Sequence, residues 1–193
     1  MRWAMLWVIC AILIAGSQAL HAARDSDVSL YGPTFQVGGL KFTVPSRWQS
    51  EPVENSSRAG QWRVPLSHGQ EGEGGEIVAF YFGPGIGGTV KENVEAWIGT
   101  MFNAEGHPAA AEVKHHETAG FKISQVVLFG TYNQVISMSG IPPQPKPNYG
   151  LLGAVIESPK GNVYWRFTGP EPLITANLPL FNKIIDSVKP QDK

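Results

Sequence analysis

Helical apolar spacing is confined to two stretches of this chain, and nearly everything around them reads as short strands cut by glycine or proline. In the first stretch Val90, Val94, Trp97, Ile98, Met101 and Phe102 form one stripe, with Lys91, Asn93, Glu95 and Thr100 away from it. Thr89-Val90-Lys91-Glu92 ahead of it has the capping-box form. In that form the threonine hydroxyl accepts from an early backbone N–H, and the glutamate reaches back to the threonine N–H. The spacing predicts a helix over 89–102. The second stripe is Ile174, Leu178, Phe181, Ile185 and Val188. Pro179 interrupts it, so Asn177 is read as the cap, with Pro179 in the first turn where a missing N–H costs nothing. Residues 170–176 are then an irregular approach.

The strands carry the other period. Segments 35–37 and 40–44 flank Gly38-Gly39, which supplies the positive φ angles of a two-residue hairpin turn. A short edge strand is expected over 61–66, because Pro65 cannot donate to a central ladder. Segment 76–82 is apolar on both faces and reads as a central strand. Strands follow over 112–118 and 121–132, with Gly120 at the bend, and 151–157 and 162–167 form a hairpin. Segments 51–60 and 68–75 read as polar loops, and 133–148 as a proline-rich, extended excursion. Strands, helix, strands, helix, without βαβ alternation, imply an α+β domain: a central antiparallel β-sheet flanked by two main α-helices. It is expected to span 34–189, between a flexible leader over 20–33 and a tail over 190–193.

Ahead of that domain stand Met1-Arg2-Trp3, an apolar run over 4–15 and Gly16-Ser17-Gln18-Ala19. A basic start, an apolar core of about a dozen residues and a small-x-small exit are the layout of a secretory signal. Cleavage is expected after Ala19, with Ala22 or Ala23 the alternatives. An uncleaved anchor is disfavoured because a spanning helix needs about 20 apolar residues. The one cysteine, Cys10, lies inside this run. The expected mature chain therefore has no disulfide, thiol nucleophile or zinc–cysteine site, and its stability comes from an apolar core. The formal net charge is −1, and no basic block is interleaved with aromatics, so nucleic acid is not an expected partner.

Candidate sites are few. The loop Gly83-Pro84-Gly85-Ile86-Gly87-Gly88 leads into the first helix, where backbone N–H groups and the helix dipole favour an anion. Gly85, Gly87, Gly88 and Thr89 are the weak candidate binding residues. The phosphate-loop lysine is missing, and no dinucleotide spacing occurs, so a plain strand-to-helix turn is the competing reading. His115 and His116 are adjacent on a strand and point to opposite faces, which argues against a shared metal. His68 and His107 complete no ligand pattern. Ser137-Met138-Ser139-Gly140 does not match a nucleophile elbow. Glu71, Glu73 and Glu76 could pair for sugar hydrolysis only in a rigid cleft. Trp97 and Trp165 lie on expected core faces, whereas Trp48 and Trp62 are either core edge or exposed anchors. No metal, cofactor or catalytic residue is expected.

Phe42-Thr43-Val44-Pro45-Ser46-Arg47-Trp48 resembles the F-x-V-P-x-x-W stretch common in the Mog1/PsbP-like superfamily. Segment 76–82 running into 89–102, Gly153-Ala154-Val155-Ile156-Glu157, and Val163-Tyr164-Trp165-Arg166-Phe167-Thr168-Gly169-Pro170 are similar to its later stretches. So is the closing helix. The resemblance covers about residues 35–188. It implies a central antiparallel sheet with helices on it and a binding or accessory role without a shared catalytic set. The sequence therefore leads to an extracytoplasmic, periplasmic or secreted, non-enzymatic binding protein whose partner is another envelope or secreted protein. Loops 133–148 and 83–89 are its expected contact surface. The alternatives are an extracytoplasmic hydrolase using Glu71, Glu73 or a histidine, and an envelope structural protein tethered by an uncleaved N-terminus.

Overall fold

The computed structural model describes residues 30–66, 72–133 and 144–192. The expected signal over 1–19, most of the leader and the segments 67–71 and 134–143 lie outside the described residues. So do Glu71, His68 and the Ser137–Gly140 stretch.

The first hairpin joins β1 (Thr34–Val37) to β2 (Leu40–Thr43) through Gly38 and Gly39, both at positive φ. The short β11 (Lys189–Pro190) adds to β2 and makes a three-stranded sheet. The main sheet has eight strands, all its pairings antiparallel. These are β3 (Gln49–Ser50), β4 (Arg58–Val64), β5 (Gly75–Tyr81), β6 (Met101–Phe102), β7 (Ala111–Thr118), β8 (Phe121–Tyr132), β9 (Lys146–Ile156) and β10 (Val163–Pro170). Their order is β3-β4-β5-β10-β9-β8-β6, with β7 also on β8. Two helices, α1 (Val90–Ile98) and α2 (Glu171–Asp186), complete the α+β architecture among the described residues.

Side chains alternate along each strand, so the sheet has two distinct faces. The first is covered by α2 and the β1–β2 hairpin. Its core is aromatic: Trp165 stacks on Trp62 at 5.5 Å and meets Phe42 and Phe35 edge-on at 5.2 and 5.6 Å. Leu173, Ile174, Phe181, Ile184 and Ile185 of α2 close over it. On the opposite face Val94 and Trp97 of α1 pack against Val126, Leu128, Leu151 and Val155. Gly153 makes room there, since a Cβ would run into the Trp97 ring and come within 2.8 Å of Val126.

Several boundaries differ from the sequence expectation. The first helix ends at Ile98, not Phe102: Gly99 caps it, Thr100 Oγ1 donates to the Trp97 carbonyl, and Met101 and Phe102 pair with Tyr132 and Thr131 as β6. Met101 keeps its buried place by this route, which a helical stripe cannot distinguish. The last helix begins at Glu171 with Pro172 in its first turn, so Asn177 is no cap. Buried in mid-helix, its amide donates to the Leu173 carbonyl and accepts from Arg47 at 2.8 Å. Pro179 sits inside the helix. The carbonyl it deprives is that of Thr175, and both residues are exposed, so water can serve it.

The strand β4 starts at Arg58, inside the expected polar loop, and the two residues of β3 pair on its outer side. The proline-rich excursion expected to reach residue 148 is overrun by β9, which begins at Lys146 and takes in Pro147. The described end of the leader and the tail are held by backbone bonds: Val44 N–H donates to Pro33, Ser46 N–H to Tyr31, and Gln191 N–H to Gly39.

Candidate functional site

The register places the chain's two candidate loops at opposite ends of the sheet. Val163 pairs with Tyr81 and with Ile156, and Ile156 pairs with Ile123, so the 83–89 loop shares one end with the β7–β8 and β9–β10 turns. Gly75 opposite Val64, and Tyr132 opposite Lys146, mark the other end, from which the 133–148 segment leaves.

At the first end the glycines do conformational work. Gly83, Gly85, Gly87 and Gly88 all have positive φ, and a Cβ on Gly87 would meet the Phe82 ring and the Tyr164 hydroxyl. Tyr164 Oη donates to Gly88 O at 3.0 Å, and Asn93 Nδ2 donates to Gly87 O and Thr89 O. The capping box forms as the sequence implies. Thr89 N–H and Oγ1–H both donate to Glu92 Oε2, at 2.7 and 2.9 Å, and Glu92 N–H donates to Thr89 Oγ1. These bonds, the backbone one first, hold the Glu92 carboxyl below its ordinary range. The helix N-terminus thus already holds a carboxylate, and an incoming anion would have to displace it. Gly85, Gly88 and Thr89 line an open depression of about 670 Å³ together with Glu92, Glu157 and Asn162.

A second depression, about 460 Å³, adjoins Glu157 from the side of the β7–β8 hairpin and contains His115, His116, Lys122 and Ser124. The two histidines diverge as the strand period requires. His115 Nδ1 lies 2.9 Å from Ser124 Oγ, while His116 Nε2 reaches Asp186 of α2 at 3.0 Å. Ser124 is buried, an uncommon place for a hydroxyl unless it is bonded. Sequence reasoning passed over this serine; its polar position within apolar 123–128 was the available signal.

Glu73 and Glu76, the two acids suggested for hydrolysis that lie among the described residues, do not converge. Glu73, at the far end, accepts from Lys146 Nζ and from the Tyr149 hydroxyl at 2.7 Å. The Lys146 bond holds the Glu73 carboxyl below its ordinary range, and Glu73 in turn raises Lys146; burial chiefly pushes the Tyr149 hydroxyl up. Tyr149 stacks on Tyr132 at 6.1 Å. Glu76 Oε1 instead accepts from Arg58 Nη1 at 2.8 Å and Gln61 Nε2 at 3.2 Å, and Arg166 Nη2 lies 3.8 Å from its Oε2. Glu73 and Glu76 thus serve separate sets of partners. Trp48 and Trp62 are both buried, hence core and not exposed anchors. Among the described residues no group of three His, Cys, Asp or Glu side chains is placed to hold a metal.

No protein-family model matches the chain, and no curated protein matches it. Solved structures do. Cyanobacterial PsbP (CyanoP) from Synechocystis sp. PCC 6803 is 13% identical, covering 83% of this chain and 90% of that one, with a TM-score of 0.48. PA94 of Pseudomonas aeruginosa, a protein of unknown function, is 9% identical, covering 83% and 98%, with a TM-score of 0.46.

Proposed function

We propose that this chain is a binding or accessory protein that performs no chemistry of its own and works outside the cytoplasm. One observation carries the reading: the candidate acids among the described residues are spent on structural partners, Glu73 on Lys146 and Tyr149 and Glu76 on Arg58 and Gln61. Catalytic groups in contrast need a poised protonation state and an open partner. The export-like layout of residues 1–19 supports the location, and no helix of the described residues is long and apolar enough to cross a membrane. The partner is another envelope or secreted protein, met through one of the two loop ends.

Photo-crosslinking residues placed at Ile86 and at Pro147 test this at the two ends separately. One stoichiometric adduct is expected at one position and not at the other. The absence of any adduct at both, in cells expressing the protein at its native level, would overturn the reading.

A single observation favours the hydrolase alternative, the contact between His115 and Ser124. No third group orients that imidazole among the described residues, which the activated serine of a hydrolase requires. An ester and peptide panel run on the same protein decides between the two readings. Turnover lost in both Ser124→Ala and His115→Gln would replace the binding role with an enzymatic one.

A further inference from the structure

The two edges of the main sheet are finished differently. The β4 edge is closed by β3 and by the Glu51 N–H bond to Gln61 O, and Pro65 follows its last residue. Among the described residues the β7 edge is bare: β7 pairs with β8 alone, and six of its eight residues are exposed, Val113 among them. We propose that this edge pairs with the same edge of a second copy of the chain, antiparallel about a two-fold axis at Val113, and so joins two sheets into one.

The backbone is set up for such pairing. Ala119 and Gly120 make a two-residue turn at positive φ, so Thr118 and Phe121 form its hydrogen-bonded pair. Hydrogen-bonded and non-bonded pairs then alternate, which turns the N–H and C=O of Ala111, Val113, His115 and Glu117 toward the free edge. An independent bond agrees with this phase: Lys122, opposite Glu117, sends its carbonyl the other way, to Glu157 N–H at 2.9 Å.

The side chains choose the register. Charges on an edge ordinarily repel a second strand, but Glu112-Val113-Lys114 is self-complementary. With Val113 opposite its own copy, Glu112 faces the partner copy's lysine and Lys114 the partner copy's glutamate, two opposite-charge pairs on one face. Among the described residues of the single chain these two have only each other, at 2.8 Å along the strand and both largely exposed. A shift of the axis to Lys114 or to Glu112 sets like charges opposite. A shift to His115 brings Lys114 against His116 and breaks both pairs. Isologous contacts of this kind close at two copies and do not propagate.

Sedimentation equilibrium on the full chain over a hundredfold concentration range tests the proposal. A reversible dimer is expected. Lys114→Glu should raise its dissociation constant about tenfold or more, because two favourable cross-strand pairs become repulsive. Adding Glu112→Lys to that variant restores both pairs with signs exchanged and should return the constant to within a few-fold of the original. Val113→Pro removes an outward N–H without touching the bonds to β8, and should abolish the dimer while circular dichroism stays unchanged. A protein that is monomeric throughout the range, a dimer indifferent to Lys114→Glu, or a double variant that fails to recover would each overturn the proposal. A strand of another protein bound to monomeric β7 would also count against it.

Discussion

The two faces of the main sheet are built to different standards. One is sealed by a helix of 16 residues and a hairpin, over a cluster in which Trp165, Phe42, Phe167 and Phe181 are fully buried. The other receives a helix of nine residues that contributes two buried side chains, Val94 and Trp97. Beyond the reach of that helix the same face carries Arg58, Gln61, Glu76 and Arg166, linked to one another by hydrogen bonds and ion pairs. Stability is thus concentrated on one side, and the other is left polar and open at its ends. The division fits a scaffold that presents loops and edges to a partner while its core stays intact.

Truncating one tryptophan on each face is the most direct way to break this comparison. Trp165→Ala removes the centre of an aromatic cluster with 0% exposure and should cost about 4 kcal/mol, within the range for large aromatic truncations. Trp97→Ala, at the edge of a smaller cluster, should cost nearer 3 kcal/mol. Urea unfolding of both variants measures the difference. Equal costs would mean that the short helix contributes as much to the core as the long one, and the asymmetry would be lost.

Gly153→Ala sharpens the same point by overpacking in place of truncation. The added methyl enters the space of the Trp97 ring and Val126, and should cost about 1–3 kcal/mol. The location of the damage is the informative part. Amide exchange should accelerate across 90–98 while β9 and β10 remain protected, because α1 can lift from the sheet without unfolding it. Uniform loss of protection would show instead that both faces form one cooperative unit.

What could be read in the sequence follows from the same asymmetry. Elements whose chemistry is local were legible: the Gly38-Gly39 hairpin, the Thr89–Glu92 capping box and the doubly apolar strand β5 all formed where the residues implied. Elements whose ends are decided by distant partners were not. Met101 and Phe102 fit the helical stripe, yet Gly99 and pairing with β8 turn them into a strand. Asn177 looks like a cap in sequence, but its amide is committed to Leu173 and Arg47 in the middle of a helix. At the candidate site the glycine loop was visible, whereas the occupation of its helix end by Glu92 is a consequence of the same capping box and could have been drawn from it. The grouping of Glu73 with Lys146 joins a residue outside the strands to the start of β9, and no spacing along the chain announces it, whereas His115 and Ser124 face each other across the β7–β8 hairpin.

A smaller effect is expected at that cap. Thr89→Ala removes the hydroxyl that accepts from Glu92 N–H and donates to its carboxylate, leaving the carboxylate only the backbone N–H of residue 89. The loss of an N-cap of this type is worth about 1 kcal/mol. Thr89→Ser keeps the oxygen and should recover most of it. If the two variants unfold at the same urea midpoint, the box is decoration on a helix held by Val94 and Trp97.

The smallest expected effect lies at the exposed end of the polar face, and its sign depends on pH. The Glu73 carboxyl is held below its ordinary range by Lys146 and Tyr149, so the unfolded chain binds its proton more readily than the folded one. Its stabilising contribution is therefore present above the ordinary glutamate value of about 4.3 and is lost as pH falls through the lowered folded value. Lys146 works in the opposite limb. Its folded value is raised, so its contribution is present below about 10.4 and is lost as pH rises through the folded value. Glu73→Gln should accordingly lower the urea midpoint slightly and evenly between those limits, and the difference from wild type should shrink toward both extremes. Added salt should shrink it further, because both side chains are at least 40% exposed and screening reaches them. A difference that stays constant from pH 3 to 11 would assign the loss to packing beside Tyr149 and not to charge, and the polar end of the sheet would then be held together by the same forces as its sealed face.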